Sequence, residues 1–299
     1  MLQLLFVVGL LFLIYSYLLY PMLLKYLLQK SAAQEAHVTT NPLPALSIII
    51  AAHNEEKVLR DKLDSILQSA YPQDQIELLI GIDASSDLSA LIAEEYQSKF
   101  AACQIFEFKE RQGKIKIVNA LVPKAQHALV VLTDANVLFT ADTLKHLQAP
   151  FSDPKIGLVD STMKHYGLKN TGISVPESTY IAGEVLLKEA EGKLWGAMMG
   201  PFGGCFAFRK SCFEPIPAHF LVDDFYINMI CIEKGLRCIT QTEAIVLEDV
   251  SNDLSIEFKR KIRISSGNFQ NLRRFWPLLF KFNWVSFAFF SHKVLRWIL

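Results

Sequence analysis

LVVLTDANVLFT, Leu129 to Thr140, opens as a buried strand and then places a carboxylate, Asp134, and an amide, Asn136, one residue apart. Two readings compete for that turn. Asp and Asn favour strand ends because their side chains bond the nearby backbone. An oxygen-rich pair at the carboxyl end of a core strand is also where an α/β sheet seats a metal-bound ligand. What the chain puts at its other strand ends decides between them.

LSIIIAA (46–52) is an apolar run of β-branched character, and HNEEKVLRDKLDSILQSAYP then shifts to a helical period. Leu59, Leu63, Ile66, Leu67 and Ala70 share one face, Asn54 is the expected N-cap with Glu55 and Glu56 in the first turn, and Pro72 closes the pattern. IELLIGID (76–83) reads as a second strand, followed by a helix through LSALIAEEYQSKF. CQIFEFK (103–109) reads as a third, KIKIVNALVPKA as a short helix, and the opening stretch as a fourth strand. Unbroken apolar strands alternating with helices predict an α/β fold, a mostly parallel sheet covered on both faces. Ligands collect at the carboxyl ends of such strands. There the chain offers His53-Asn54-Glu55, then Asp83, then Arg111 to Lys114, then Asp134 and Asn136. Neither G-x-G-x-x-G after the first strand nor a P-loop is present, so a nucleotide would be held by carboxylates, a lysine and a metal, not by a glycine cradle.

The chain is 51% apolar with zero net charge, so no global field points to nucleic acid. That neutrality hides an asymmetry. From Glu257 to Leu299 nine Lys and Arg residues face the single acid Glu257, which suits an anionic membrane surface or a phosphorylated ligand, beside the plainer reading of a solvated helix face. The first 24 residues carry no charge, enough to span a bilayer, which takes about 20 apolar residues. A signal peptide is the rival, with SAAQEA (31–36) as a faint cleavage site, but a basic start is missing and the apolar run is too long. Lys25 and Lys30 after the span put the following domain in the cytoplasm. FWPLLFKFNWVSFAFFSHKVLRWIL (275–299), aromatic and basic, reads as an interfacial segment that can lead into further membrane helices. The expected organisation is a transmembrane anchor at 1–24, a linker at 25–44, one domain at 45–250 and a basic interfacial helical segment at 251–299. The five cysteines have no C-x-x-C spacing and read as reduced core residues, not a zinc site.

AAHNEE (51–56), IDASSD (82–87), RQGKIKIVNAL (111–121) and LTDANVLF (132–139) resemble successive motifs of the family 2 glycosyltransferases, inverting nucleotide-sugar-dependent enzymes of GT-A fold. VDDFYINMICIEKGLRC (222–238) is similar to their acidic base motif, and RKIRI (260–264) to the Q/R-x-x-R-W motif of the membrane-integrated cellulose, chitin and hyaluronan synthases. The resemblance implies Asp224 as catalytic base with Asp223 as its neighbour. It implies a donor nucleotide site from Ala51, His53, Asn54, Glu55, Asp83, Lys114 and Asp134, and a divalent cation, Mg²⁺ or Mn²⁺, on Asp134 and Asn136. The family pattern there is Asp-x-Asp, so Asn136 brings an oxygen but no charge. Arg260 and Arg263, one helical turn apart, would bind the diphosphate. Gly203 and Gly204 would line the acceptor, with Trp195 stacking on its ring, while Ile264 stands where the family has Trp. The glycines equally suit a kinked strand, the two acids a helix N-terminus, and Lys114 an ordinary surface.

These implications make the chain a membrane-anchored glycosyltransferase acting from a nucleoside-diphosphate sugar, UDP first, on a glycan in polysaccharide synthesis. Single transfer to a lipid acceptor and a non-catalytic synthase subunit are the alternatives. A phosphatase with an Asp nucleophile would want a second acid at Asn136.

Overall fold

The computed structural model describes residues 2–31, 43–166, 174–249 and 254–299. Its strands are β1 (Leu46–Ala52), β2 (Ile76–Asp83), β3 (Ala102–Phe108), β4 (Leu129–Thr133), β5 (Val137–Phe139), β6 (Ile156–Tyr166), β7 (Cys205–Arg209) and β8 (Arg237–Asp249). The helices are α1 (Leu2–Ile14), α2 (Tyr20–Lys30), α3 (Leu59–Leu67), α4 (Ser89–Gln97), α5 (Lys114–Leu121), α6 (Thr143–Gln148), α7 (Ser174–Trp195), α8 (Asp223–Glu233), α9 (Leu254–Phe275), α10 (Trp284–Ala288) and α11 (Leu295–Ile298).

The strands form one eight-stranded sheet in the order β3-β2-β1-β4-β7-β6-β8-β5. The first half is parallel, as the alternating apolar pattern requires. β7 then enters antiparallel between β4 and β6, so the sheet as a whole is mixed. Every residue of β2 and β4 is buried, whereas β3 alternates towards solvent as an edge strand does. Strand geometry sends neighbouring side chains to opposite faces. Ile48 and Ile50 therefore join a core layer under α3 and α4, and Ile49 joins the layer under α5 and α8. Each such buried Ile contributes about 1.5–3 kcal/mol relative to exposure.

The opening stretch holds two strands where one was expected. β4 stops at Thr133, the chain turns through Asp134–Asn136, and β5 crosses to pair antiparallel with β8. The turn thus sits between the two halves of the sheet.

At the N-terminus a continuous helical run crosses a π-type segment at Tyr15–Leu19 and reaches Lys30, past the expected boundary at residue 24. Phe6–Lys30 is long and apolar enough to cross a membrane. The expected linker lies mostly at 32–42, outside the described residues. The C-terminal segment is more than an interfacial appendage. Phe275, Leu278, Ala288, Phe289 and Val294 are buried in the layer under α8. Its other face presents Phe280, Phe282, Trp284 and Phe290 to the surroundings. It also grips the N-terminal helix. Tyr15 Oη lies 2.9 Å from Ser291 Oγ, Ser16 Oγ donates to the Ser291 carbonyl (2.9 Å), and Arg296 donates to both the Oγ and the carbonyl of Ser16.

Candidate active site

The parallel half brings its expected residues together at one edge. Asp83, buried at the end of β2, accepts from Arg111 Nη1 (2.7 Å), the Gln112 N–H (2.6 Å) and the Gly113 N–H (2.8 Å). Gly113 has φ +82°, a left-handed conformation that glycine adopts without strain, and this turn starts α5 with Lys114 at its head. Asp83 therefore anchors the loop that aims Lys114. His53 Nδ1 lies 2.6 Å from the Asp83 carbonyl. Asn54 does not cap α3, which starts only at Leu59. With φ +57°, Asn54 accepts the Ser86 N–H (2.9 Å) on Oδ1 and ties two loops together. The Glu55 N–H donates to Ser89 Oγ (2.8 Å); burial first and Asp134 second push its carboxyl upward. Ala51 pairs with Gly81 at the end of β1.

Across the sheet, β4 and β7 run in register so that Thr133 faces Cys205, and the Asp134 N–H donates to the Gly204 carbonyl (2.9 Å). Lys114 Nζ bridges the halves. It lies 2.7 Å from Asp134 Oδ1 and 3.5 Å from Asp223 Oδ2. Burial opposes its charge, but Asp134 and Asp223 outweigh burial and hold the ammonium well above its ordinary value. Asp223 and Asp224 open α8. Asp224 is pushed up to about 7, first by burial and then by Asp223, while Lys114 pulls the other way. A side chain on Gly203 would put its Cβ 2.4 Å from Asp224 Oδ2. Glycine at 203 is what lets the chain pass beside that carboxylate. Asp160, wholly buried on β6, fixes this glycine loop by accepting the Phe202 N–H (2.7 Å) and pairing with Lys188 (2.6 Å).

A cavity of about 710 Å³ opens over this cluster, lined among others by Lys114, Asp134, Gly203, Gly204, Asp223 and Asp224. Arg260 and Arg263 of α9 line its opposite wall, one turn apart as their spacing requires, with Ile264 beside them. Arg260 pairs with Glu257 (3.0 Å), and Arg263 donates to the Leu221 carbonyl (2.9 Å). Trp195 is not brought there. It stacks on Trp284 with ring centroids 5.1 Å apart and planes 4° from parallel, a packing contact that commits one face of the indole to the C-terminal segment.

Two residues at this site gave no signal in the sequence. Glu248, near the end of β8, accepts from Asn136 Nδ2 (3.1 Å) and lines the cavity; burial and then Asp134 push it up to about 7. Lys62 of α3 is fully buried behind the turn, where Nζ donates to Thr133 Oγ1 (2.8 Å) and to the Val137 carbonyl. Burial pushes it down to about 7.

Among the described residues no group of three or more His, Cys, Asp or Glu side chains has the spacing of a metal site. The donors expected for a cation are the Asp134 carboxylate and the Asn136 amide oxygen, with the Glu248 carboxyl beside the latter. That set is too small for an all-protein cage, but Mg²⁺ is commonly held by one or two carboxylates with substrate phosphates supplying the rest. The residues fit a cation shared with a diphosphate.

Residues 47–216 match the Glycosyl transferase family 2 domain. Relatives include the N-acetylglucosaminyltransferase of Rhizobium meliloti (strain 1021), 23% identical over 258 residues that cover 81% of this chain and 60% of that protein. The poly-beta-1,6-N-acetyl-D-glucosamine synthase of Staphylococcus epidermidis (strain ATCC 35984) is 22% identical over 239 residues, 78% of this chain and 57% of that one. The chain thus spans about 60% of the length of these curated relatives. Among solved structures, the mannosyltransferase PcManGT from Pyrobaculum calidifontis in complex with GDP-Man and Mn²⁺ superposes with a TM-score of 0.75 at 24% identity, covering 90% of this chain and 74% of that one. S. aureus TarS 1-349 in complex with UDP-GlcNAc does so at 0.56 and 16% identity, covering 71% and 60%. With that domain matched over more than half of this chain and the GT-A sheet in place, the chain belongs to glycosyl transferase family 2.

Proposed function

We propose that this protein transfers a sugar, with inversion, from a uridine diphosphate sugar to a hydroxyl of a glycan acceptor in polysaccharide synthesis. The observation that carries the reading is the Lys114 bridge between Asp134 and Asp223, with Asp224 at its side beneath a cavity walled by Arg260 and Arg263. Asp224 takes the acceptor's hydroxyl proton as the oxygen attacks the anomeric carbon. The new glycosidic bond forms as the bond to phosphate breaks, and the nucleoside diphosphate leaves with the electron pair. A carboxyl held near neutrality suits a general base, whose best strength lies close to the working pH. Lys114, Arg260 and Arg263 stabilise the charge that grows on the departing diphosphate. Mg²⁺ or Mn²⁺ on Asp134 and Asn136 would supply further positive charge there.

His53, Asn54, Glu55 and the loop held by Asp83 wall the nucleoside side, with Asp83 acting chiefly by setting that loop. The donor assignment draws support from relatives named for N-acetylglucosamine transfer and from the UDP-GlcNAc complex of TarS. The membrane placement draws on the Phe6–Lys30 helix, with Lys25 and Lys30 setting the catalytic domain on the cytoplasmic side.

Two measurements test this. Asp224→Asn is expected to abolish transfer while UDP still binds by calorimetry; loss of UDP binding in a folded variant rejects the base assignment. Because only the ionised form accepts a proton, turnover of the wild type should rise with pH through about 7. A rate that falls across that range contradicts the role.

A further inference from the structure

The catalytic cavity does not end at Asp224. Glu184 and Lys293 in its wall also line a second cavity of about 220 Å³, which reaches Tyr17 of the N-terminal helical run and Arg296. Tyr17, Glu184 and Arg296 in turn border a third of about 520 Å³, a groove between that run and α7. Most of its lining is apolar, Pro21, Leu24 and Leu28 from α2 and Leu186, Leu187 and Ala190 from α7, with Lys25 and Glu189 beside them. The path leads from carboxylates through an ion-pair gate to a largely apolar groove. The gate is well satisfied. Glu184 pairs with Lys293 (3.2 Å), with His292 Nε2 (3.0 Å) and with Arg296. The groove's mouth is open, since Tyr17 is 50% and Leu186 65% exposed. One wall is the helix that is apolar enough to cross a bilayer. From Tyr17 to Leu28 that wall runs roughly 16 Å at the rise of a helix.

A soluble oligosaccharide has no use for such a groove, and a bilayer supplies what covers it. We propose that the acceptor is a glycolipid whose apolar chain lies in the groove between the N-terminal helix and α7. Its sugar head passes the Glu184–Lys293 gate to present a hydroxyl at Asp224. This rests on the transferase reading and names its acceptor class. The chain comes from the bilayer and not from water, so the apolar walls at Leu24, Leu187 and Ala190 hold and orient it without a large hydrophobic gain.

Gly183 offers a clean test. It lies in the groove wall, and a Cβ built there meets nothing within 4 Å, so a larger side chain enters the groove without striking backbone. Replacing a helical glycine also favours the helix, which guards the fold. The full chain would be placed in phosphatidylcholine vesicles with a glucosyl-diacylglycerol carrying a diazirine in one acyl chain. After illumination, adducts would be mapped by mass spectrometry. Wild type and Asp224→Asn should both be labelled near Leu187 and Ala190. Gly183→Phe should lose about fivefold or more of that labelling by filling the space, with adducts on the outward Phe6–Leu13 face unchanged. Gly183→Ala should keep it. Transfer of sugar into the chloroform-soluble fraction should fall in Gly183→Phe while donor hydrolysis persists. Equal labelling of Gly183→Phe and wild type overturns the groove. Equal labelling by a diazirine phosphatidylcholine overturns the acceptor assignment, leaving a site for bulk lipid. Transfer surviving in Asp224→Asn would instead reject the base and leave the groove result standing.

Discussion

The two halves of the sheet handle charge differently. On the parallel side, Asp83 has its charge answered by Arg111 and two backbone N–H groups within 2.6–2.8 Å. On the mixed side, where β7 and β5 run antiparallel to their neighbours but β6 and β8 pair parallel, Asp224 and Glu248 are pushed up to about 7 because burial outweighs the partners they have. A carboxylate with a full set of donors fixes geometry, and one left short of donors is ready to take a proton or a ligand. The donor half is therefore a scaffold, and the chemistry gathers where the second half closes over it. Lys114 belongs to the first half by sequence and to the second by contact, which makes it the hinge of the comparison.

The sharpest way to break this division is Gly203→Val. The new Cβ would meet Asp224 Oδ2 at 2.4 Å and Cγ at 3.1 Å, so the carboxyl must swing away from its place in the first turn of α8. Displacing a reacting group by about 1 Å can cost on the order of 100-fold in rate. Transfer should fall by about that much while UDP affinity, set by the parallel half, changes little. Calorimetry beside a turnover assay reads both. A variant that loses both equally would mean that the halves are not separable.

This division also explains what the sequence could tell. The donor half was legible because each residue follows its own strand within a few positions: Asp83 ends β2 and Asp134 follows β4. The acid pair of α8 and the arginines of α9 were legible by motif. What could not be read was long-range placement. Glu248 is 112 residues from Asn136 and meets it only because β5 crosses over to β8. Lys62 sits among Leu59, Leu63 and Ile66 in a helix where a lysine ordinarily marks solvent, yet it is fully buried. Trp195 misled for the same reason. An aromatic near a glycine loop suits a sugar platform, but the C-terminal segment folds back and takes one of its faces. Nothing local in the sequence announces that return.

Lys62 sharpens the comparison from behind. It holds the turn on both sides, at Thr133 Oγ1 and the Val137 carbonyl. Lys62→Met leaves those acceptors unpaired at about 1–3 kcal/mol each, and removes a buried charge that itself costs stability. pH separates the two effects. Burial lowers the lysine to about 7, against about 10.4 in the unfolded chain. Between those values the unfolded state binds the extra proton, so this group's contribution makes wild type more stable as pH rises. The variant lacks that contribution. Its stability deficit relative to wild type should widen from pH 7 to 9.5 in denaturant titrations, and donor affinity should drop by roughly tenfold as the turn loosens. A deficit that does not move with pH would mean that Lys62 keeps its charge in the fold throughout that range.

The smallest effect is expected from Asn136→Asp, which restores a second acid to the turn. In place of the 3.1 Å hydrogen bond from Asn136 Nδ2, Glu248 would face a second carboxyl. Like carboxylates that close cannot both ionise without a cation, so one of them holds a proton. Glu248, pushed up to about 7, is the one that holds it below neutrality, so the new Asp is ionised at pH 6 as well as at pH 8. With UDP present, the extra charge should tighten Mn²⁺ binding by a factor of about 3 to 10 at both, because hard cations favour anionic oxygens. Calorimetric Mn²⁺ titrations at pH 6 and pH 8 decide it. Unchanged affinity at both would place the cation away from Asn136 and leave Asp134 as its one ligand in the turn. A gain at pH 8 alone would mean that the shared proton sits on the new Asp below neutrality and that Glu248 is the carboxylate ionised beside the turn.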